Sequence, residues 1–233
     1  MRRSTVVSKA YILGNGPSRP KDTEWLYSLN ETNYGCNAMY RDWEPNHLVV
    51  NDSAMMVEIV NSTYVGQCHF TDFEELPLEA YDGLQGVDGF DAEDLNRKLV
   101  SEAVHHGDRE SAYSFVFMGK GQGQPSHIVW IDSSLDHIEW GMKPKFFGMS
   151  TGLCAFQLAL EHGHTEIDLI GFDGLKEKNY KNIYDGEKLY TYDPLMDDKI
   201  RRPETYIPIE ADKWEKCYIN LRNDYPKVIV NLI

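Results

Sequence analysis

Ala10-Tyr11-Ile12-Leu13-Gly14-Asn15-Gly16-Pro17-Ser18 is the stretch whose reading decides the fold. Four apolar residues run directly into two glycines, an asparagine and a proline. The run is short and lacks helical spacing, so it predicts a buried strand. Gly14 and Gly16 permit positive φ and close backbone approach, and Pro17 ends the ladder because it has no N–H. Ser18 is expected to cap the helix that follows. A strand, a glycine turn and a helix N-terminus together form a site for phosphate. The same pattern also makes a plain β-to-α turn with no ligand. It is neither a Walker loop nor a complete Gly-x-Gly-x-x-Gly.

Working outward, three predicted strands end in asparagine: Asn15, Asn37 after Tyr34-Gly35-Cys36, and Asn51 after His47–Val50. In an open α/β sheet, ligands bind beyond the carboxyl ends of the strands. Each asparagine alone suits an Asx turn. Three of them together predict a polar site able to read a base, a ribose or a phosphate. Helices are expected over Lys21–Leu29 and Ala54–Val60, the second capped by Asp52 or Ser53. Ser150-Thr151-Gly152 opens an apolar helix over Leu153–Leu160, closed by Gly163. Ile167–Ile170 is the next strand and delivers Gly171-Phe172-Asp173. A closing helix at about Glu210–Arg222 and a strand at Val228–Val230 complete the pattern.

The whole predicts a single α/β domain over residues 1–233. It is Rossmann-like, with a mostly parallel sheet and helices on both faces. Residues 73–125 are acidic and glycine-rich, and are expected to form an insertion or small subdomain. The main sheet is expected to resume at His127–Ile131. Residues 175–209 hold Tyr180, Tyr184, Tyr190, Tyr192 and Tyr206 among several cations, and read as a lid over the site.

Composition bounds the function. The 233 residues carry a formal net charge of -14. That argues against nucleic acid, which needs a basic stripe, and against an anionic membrane surface. No apolar run approaches a membrane span, and Arg2 and Arg3 precede no signal-like segment. Cys36, Cys68, Cys154 and Cys217 are scattered without a Cys-x-x-Cys, which predicts reduced, mostly buried thiols and a cytoplasmic protein. No metal site is expected. His105-His106 with Asp108 lacks a third ligand at metal spacing, and His162 and His164 are expected to complement a helix C-terminus.

The ordered set Gly14-Asn15-Gly16-Pro17-Ser18, Cys36-Asn37-Ala38-Met39-Tyr40, Asn51, Ser150-Thr151-Gly152 and Gly171-Phe172-Asp173 resembles the bacterial sialyltransferases of glycosyltransferase family 42. The resemblance covers roughly residues 10–60 and 148–231. The opening motif is also similar to that of pterin diphosphokinase-like archaeal proteins. The resemblance implies an inverting glycosyltransferase that uses a CMP-linked sugar as substrate, sialic acid foremost, without a metal or other cofactor. The acceptor would be a glycan or another hydroxyl compound, and family members often assemble as homo-oligomers. Gly14, Asn15, Gly16, Ser18, Asn37, Asn51, Ser150, Thr151, Gly152, Gly171 and Asp173 would line the nucleotide site. Tyr180 and Tyr184 would hydrogen-bond the departing phosphate, stabilising the transition state more than the ground state. The family's base histidine is replaced in Tyr206-Ile207-Pro208-Ile209-Glu210, which leaves Glu210 as the nearest base. Gly148 stands where the family has an arginine. Two other readings are a nucleotide-binding protein without transfer activity, and a Mg²⁺-dependent diphosphokinase with Asp52 and Asp173 as metal ligands.

Overall fold

The structure is a computed structural model that describes residues 8–60, 62–71, 73–76, 104–105, 112–118, 125–132, 136–187 and 211–233. In chain order the elements begin with β1 (Lys9–Leu13), α1 (Thr23–Tyr27), β2 (Thr32–Cys36), a 3-10 turn (Asn37–Arg41), β3 (His47–Val50) and α2 (Ser53–Val60). Next come β4 (Cys68–Thr71), β5 (Phe73–Leu76), β6 (Val104–His105), β7 (Ala112–Met118), β8 (Pro125–Asp132) and β9 (Ile138–Met142). The chain closes with α3 (Thr151–Glu161), β10 (Glu166–Ile170), α4 (Asp173–Lys176), α5 (Ala211–Asp224) and β11 (Ile229–Leu232). Two compact units emerge, one of residues 1–49 and 144–233 and one of residues 50–143.

The first unit is an α/β fold of Rossmann-like type. Its sheet runs β11-β10-β1-β2-β3, with every neighbouring pair parallel. Strands β1, β2, β3 and β10 are buried along most of their length, as expected of a parallel sheet covered on its faces. Ala10, Ile12 and Leu13 of β1 and Ile167 and Leu169 of β10 are fully buried. Asp168 is buried among them because Lys9 Nζ (2.8 Å) and Asn231 Nδ2 (2.7 Å) satisfy its carboxylate. The chain lays β2 and β3 on one side of β1 and then crosses to place β10 and β11 on the other. The order of strands therefore reverses between β1 and β10, which is where open α/β sheets hold ligands.

Helix α3 is capped by Ser150, whose Oγ accepts from Leu153 N at 3.4 Å. Every residue from Leu153 to Leu160 is buried, so this helix is a core element. Gln157 tolerates burial by accepting from Lys145 N and donating to Glu161, each at 2.8 Å. Gly163, at φ +84°, follows the C-cap as the sequence predicts.

Three local expectations are corrected. Helix α1 is capped by Asp22, which accepts from Glu24 N at 2.8 Å, so Ser18 is not its cap. His162 and His164 do not merely answer the end of α3. His162 Nδ1 and His164 Nε2 both bond the Tyr34 hydroxyl, at 2.7 and 3.0 Å, and His164 Nδ1 bonds Ser8 Oγ at 2.8 Å. Tyr34 is fully buried, so its hydroxyl needs these partners. The segment His127–Ile131 does not rejoin the main sheet. It belongs to β8, which pairs antiparallel with β7.

The second unit contains α2, a parallel β4–β9 pair, and a sheet of order β5-β7-β8-β6. Asp52 caps α2 by accepting from Met55 N at 3.3 Å, and Met55, Met56 and Ile59 are buried. Within the insertion expected over 73–125, the described residues are those of β5, β6 and β7 and the first residue of β8. Gly119–Gly123 lies outside the described residues. Among the described residues, no helix is long and apolar enough to cross a membrane.

Candidate functional site

The site is built on the first unit, where the turns after β1 and β10 meet. Gly14 N donates to Ile170 O at 2.7 Å and Gly16 N to Gly171 O at 2.9 Å. A Cβ on Gly14 would lie 2.5 Å from Gly171 O. A Cβ on Gly16 would collide with the Asp173 carboxylate and lie 2.6 Å from Gly171 O. The two glycines are therefore required by contact between the turns, before any ligand is considered. Gly171 itself sits at φ +76°, a conformation that side chains disfavour.

Asp173 completes this closure. The residue is 6% exposed, and its carboxylate accepts from Ser18 N at 3.2 and 3.3 Å and from Ser18 Oγ at 3.0 Å. Arg19 N donates to Gly16 O at 3.1 Å. The N–H groups of Gly14, Gly16, Ser18 and Arg19 all have partners within the protein. The turn expected to cradle a phosphate thus holds an internal carboxylate at Ser18. Gly152 packs against the Phe172 ring, 3.1 Å from a Cβ placed there, which brings the start of α3 to the β10 turn. Thr151, the first residue of α3, is half-buried beside it.

Asn15 bridges to the next strand. Its Nδ2 donates to Cys36 O at 3.2 Å, and its backbone carbonyl accepts from Ile183 N at 2.9 Å. Its Oδ1 is buried without a hydrogen-bond partner among the described residues. Asn37 follows Cys36 with φ +48°, a left-handed conformation that asparagine tolerates better than most residues. Asn15 and Asn37 thus belong to adjacent strand ends of one unit. Asn51 belongs to the other, where its Oδ1 accepts from Thr71 Oγ1 at 2.5 Å.

The tyrosines separate in role. Tyr180 packs edge-on to Trp214, with ring centroids 6.0 Å apart, and its ring lies 2.9 Å from a Cβ placed on Gly174. Tyr184 is 1% exposed. Its hydroxyl donates to Asp42 Oδ2 at 2.5 Å and accepts from Arg19 Nη2 at 2.9 Å. Burial raises the Tyr184 pKa well above the ordinary phenol value, and the Asp42 carboxylate adds to that, while Arg19 opposes it. The hydroxyl therefore stays protonated and engaged within the fold. Arg19 and Asp42 escaped the sequence reading. The available signal was an arginine set directly after a glycine turn in a strongly acidic chain.

Glu210 lies outside the described residues, as do Tyr190, Tyr192, Tyr206 and the rest of 188–210. The four cysteines are buried and outside any disulfide. Burial pushes the Cys36 and Cys68 thiols up to about 12, with Arg19 lowering that of Cys36. These are inert thiols by their surroundings. Among the described residues, no group of three His, Cys, Asp or Glu side chains is arranged to hold a metal. Asp52 caps α2 and Asp173 binds Ser18, so each carboxylate has a structural use. Comparisons with protein-family models, curated proteins and solved structures give no match to the chain.

Proposed function

We propose that the chain binds a nucleotide at the carboxyl ends of β1, β2 and β10 and acts as a sialyltransferase-like glycosyltransferase. A CMP-linked sugar is the donor and a hydroxyl compound the acceptor. The observation that carries the reading is Asn15. One end of its carboxamide is anchored on Cys36 O, and the other is a buried acceptor, without a partner among the described residues, at the switch point of a parallel sheet. A carbonyl held in that way is prepared to accept from a base amino group or a ribose hydroxyl. Asn37 directly follows β2, and Ser150 and Thr151 open α3 beside the β10 turn, at the same end of the sheet. The resemblance supplies the donor; Glu210, the carboxylate nearest to where the family has its base histidine, would take the acceptor's proton.

A second reading, binding without transfer, is favoured by Tyr184. Its hydroxyl is held between Arg19 and Asp42 instead of being presented to a leaving phosphate.

A thermal-shift panel of CMP, UMP, ATP and their sugar or diphosphate forms, with and without Mg²⁺, tests both. CMP at a hundred times its Kd should stabilise the protein by about 2.7 kcal/mol without metal. Asn15→Ala should remove most of that gain. Slow hydrolysis of a CMP-sugar, abolished by Glu210→Gln with CMP binding retained, supports transfer. CMP binding with no hydrolysis or transfer supports the second reading. Stabilisation by ATP only with Mg²⁺ refutes both in favour of a diphosphokinase.

A further inference from the structure

With its turn closed by Asp173, the site needs another group to hold a phosphate, and Arg19 is placed for it. The Arg19 side chain is fully buried. Nη2 bonds Tyr184 and lies 3.7 Å from Asp42 Oδ2, while Nε and Nη1 are buried without partners among the described residues. Arg19 is not removed from the site: its Cβ lies 3.0 Å from a Cβ placed on Gly171. A buried guanidinium with unused N–H groups costs several kcal/mol, so folds rarely keep one without a use. Its donors match phosphate oxygens in geometry and charge.

The surroundings add to this. Residues 183–187 lie against the turn, through Ile183 N on Asn15 O and Tyr184 on Arg19. Lys21 and Arg41 reach Glu187 at 3.7 and 3.8 Å, and Lys21 Nζ stands 5.8 Å from the Tyr184 ring centroid. Three cations, Arg19, Lys21 and Arg41, therefore meet residues 184–187 in a chain whose net charge is -14. Asp42 and Glu187 are the carboxylates set against them.

We infer that Arg19 is the phosphate-binding residue of this site, taking a phosphoryl group on its unused N–H donors beneath residues 183–187. Asp42 is the competing internal anion. The rest of the ligand depends on the nucleotide reading above; the anion site does not.

Calorimetric titration of the full chain with CMP, cytidine and pyrophosphate, without Mg²⁺, decides the matter. CMP should bind at least about tenfold tighter than cytidine, the scale of one or two charge-assisted hydrogen bonds. Arg19→Lys should erase that difference and leave cytidine unchanged. Asp42→Asn keeps Arg19, relieves the competition, and should tighten CMP and pyrophosphate severalfold; this variant decides if Arg19→Lys does not fold. Equal affinity for CMP and cytidine, or no tightening in Asp42→Asn, overturns the assignment while leaving nucleotide binding intact. Pyrophosphate binding that depends on Arg19, with no response to CMP or cytidine, keeps the anion site and refutes the nucleotide. No binding of any of the three refutes both.

Discussion

Replacing Tyr184 by Phe removes a single oxygen and leaves the ring in place. That oxygen serves two charged groups, donating to Asp42 at 2.5 Å and accepting from Arg19 at 2.9 Å. Hydrogen bonds to charged groups contribute roughly 1.5–3 kcal/mol each, so the gross loss is about 3–6 kcal/mol. The halves do not cost the same. The Asp42 side chain is 29% exposed, so water replaces much of its lost donor. The Arg19 side chain is fully buried, and without the Tyr184 oxygen it keeps no hydrogen-bond acceptor among the described residues. The expected net cost is about 3 kcal/mol, most of it from Arg19. Urea unfolding at neutral pH reads this as a lower midpoint at unchanged slope. Tyr180→Phe is the control. Tyr180 makes a ring contact with Trp214, and no hydrogen bond from its hydroxyl occurs among the described residues, so its loss should cost no more than about 0.5 kcal/mol. A cost below about 1 kcal/mol for Tyr184→Phe would refute the structural role of the trio. It would return Tyr184 to the phosphate-donor role that the resemblance implies, visible then in turnover and not in stability.

Gly16→Ala should destabilise the first unit by about 2–4 kcal/mol, because its Cβ meets both the Asp173 carboxylate and the Gly171 carbonyl and neither turn can retreat freely. Thermal melting checks it, and a loss under about 0.5 kcal/mol would show that the turns are not in close contact. The His164 imidazole has its pKa lowered by burial, with His162 adding to the effect. The unfolded chain therefore takes up the proton first, and stability should fall as pH drops below about 6.5, the unperturbed value. His164→Gln should flatten the denaturation midpoint between pH 7 and 5.5 relative to the parent; a parallel slope in both proteins would rule the coupling out.

Much of the architecture was legible in local pattern. The β1 run, the Ser150 cap, the apolar face of α3 and Gly163 at its end are decided by residues close in sequence, and the structure shows each of them. Local signals also identified the glycine turn as a special place, and the fold puts it at the strand-order reversal. The sequence could not reveal what the turn is closed against. Asp173 stands 155 residues from Ser18, and Tyr184 stands 165 from Arg19. Spacing of that length carries no periodic signal, and a carboxylate that fills a turn has the same letter as one that binds a metal.

The sequence by itself determined that a parallel α/β sheet forms, where its glycine turn lies, and that its cysteines belong to a core. Only tertiary structure decided that Asn15 keeps an open acceptor, that Asn51 belongs to a different unit, and that Arg19 is buried with donors to spare. The physical reason is range. Strand and helix patterns are written in neighbours a few residues apart, whereas hydrogen-bond partnership is settled when distant turns come within 3 Å of one another.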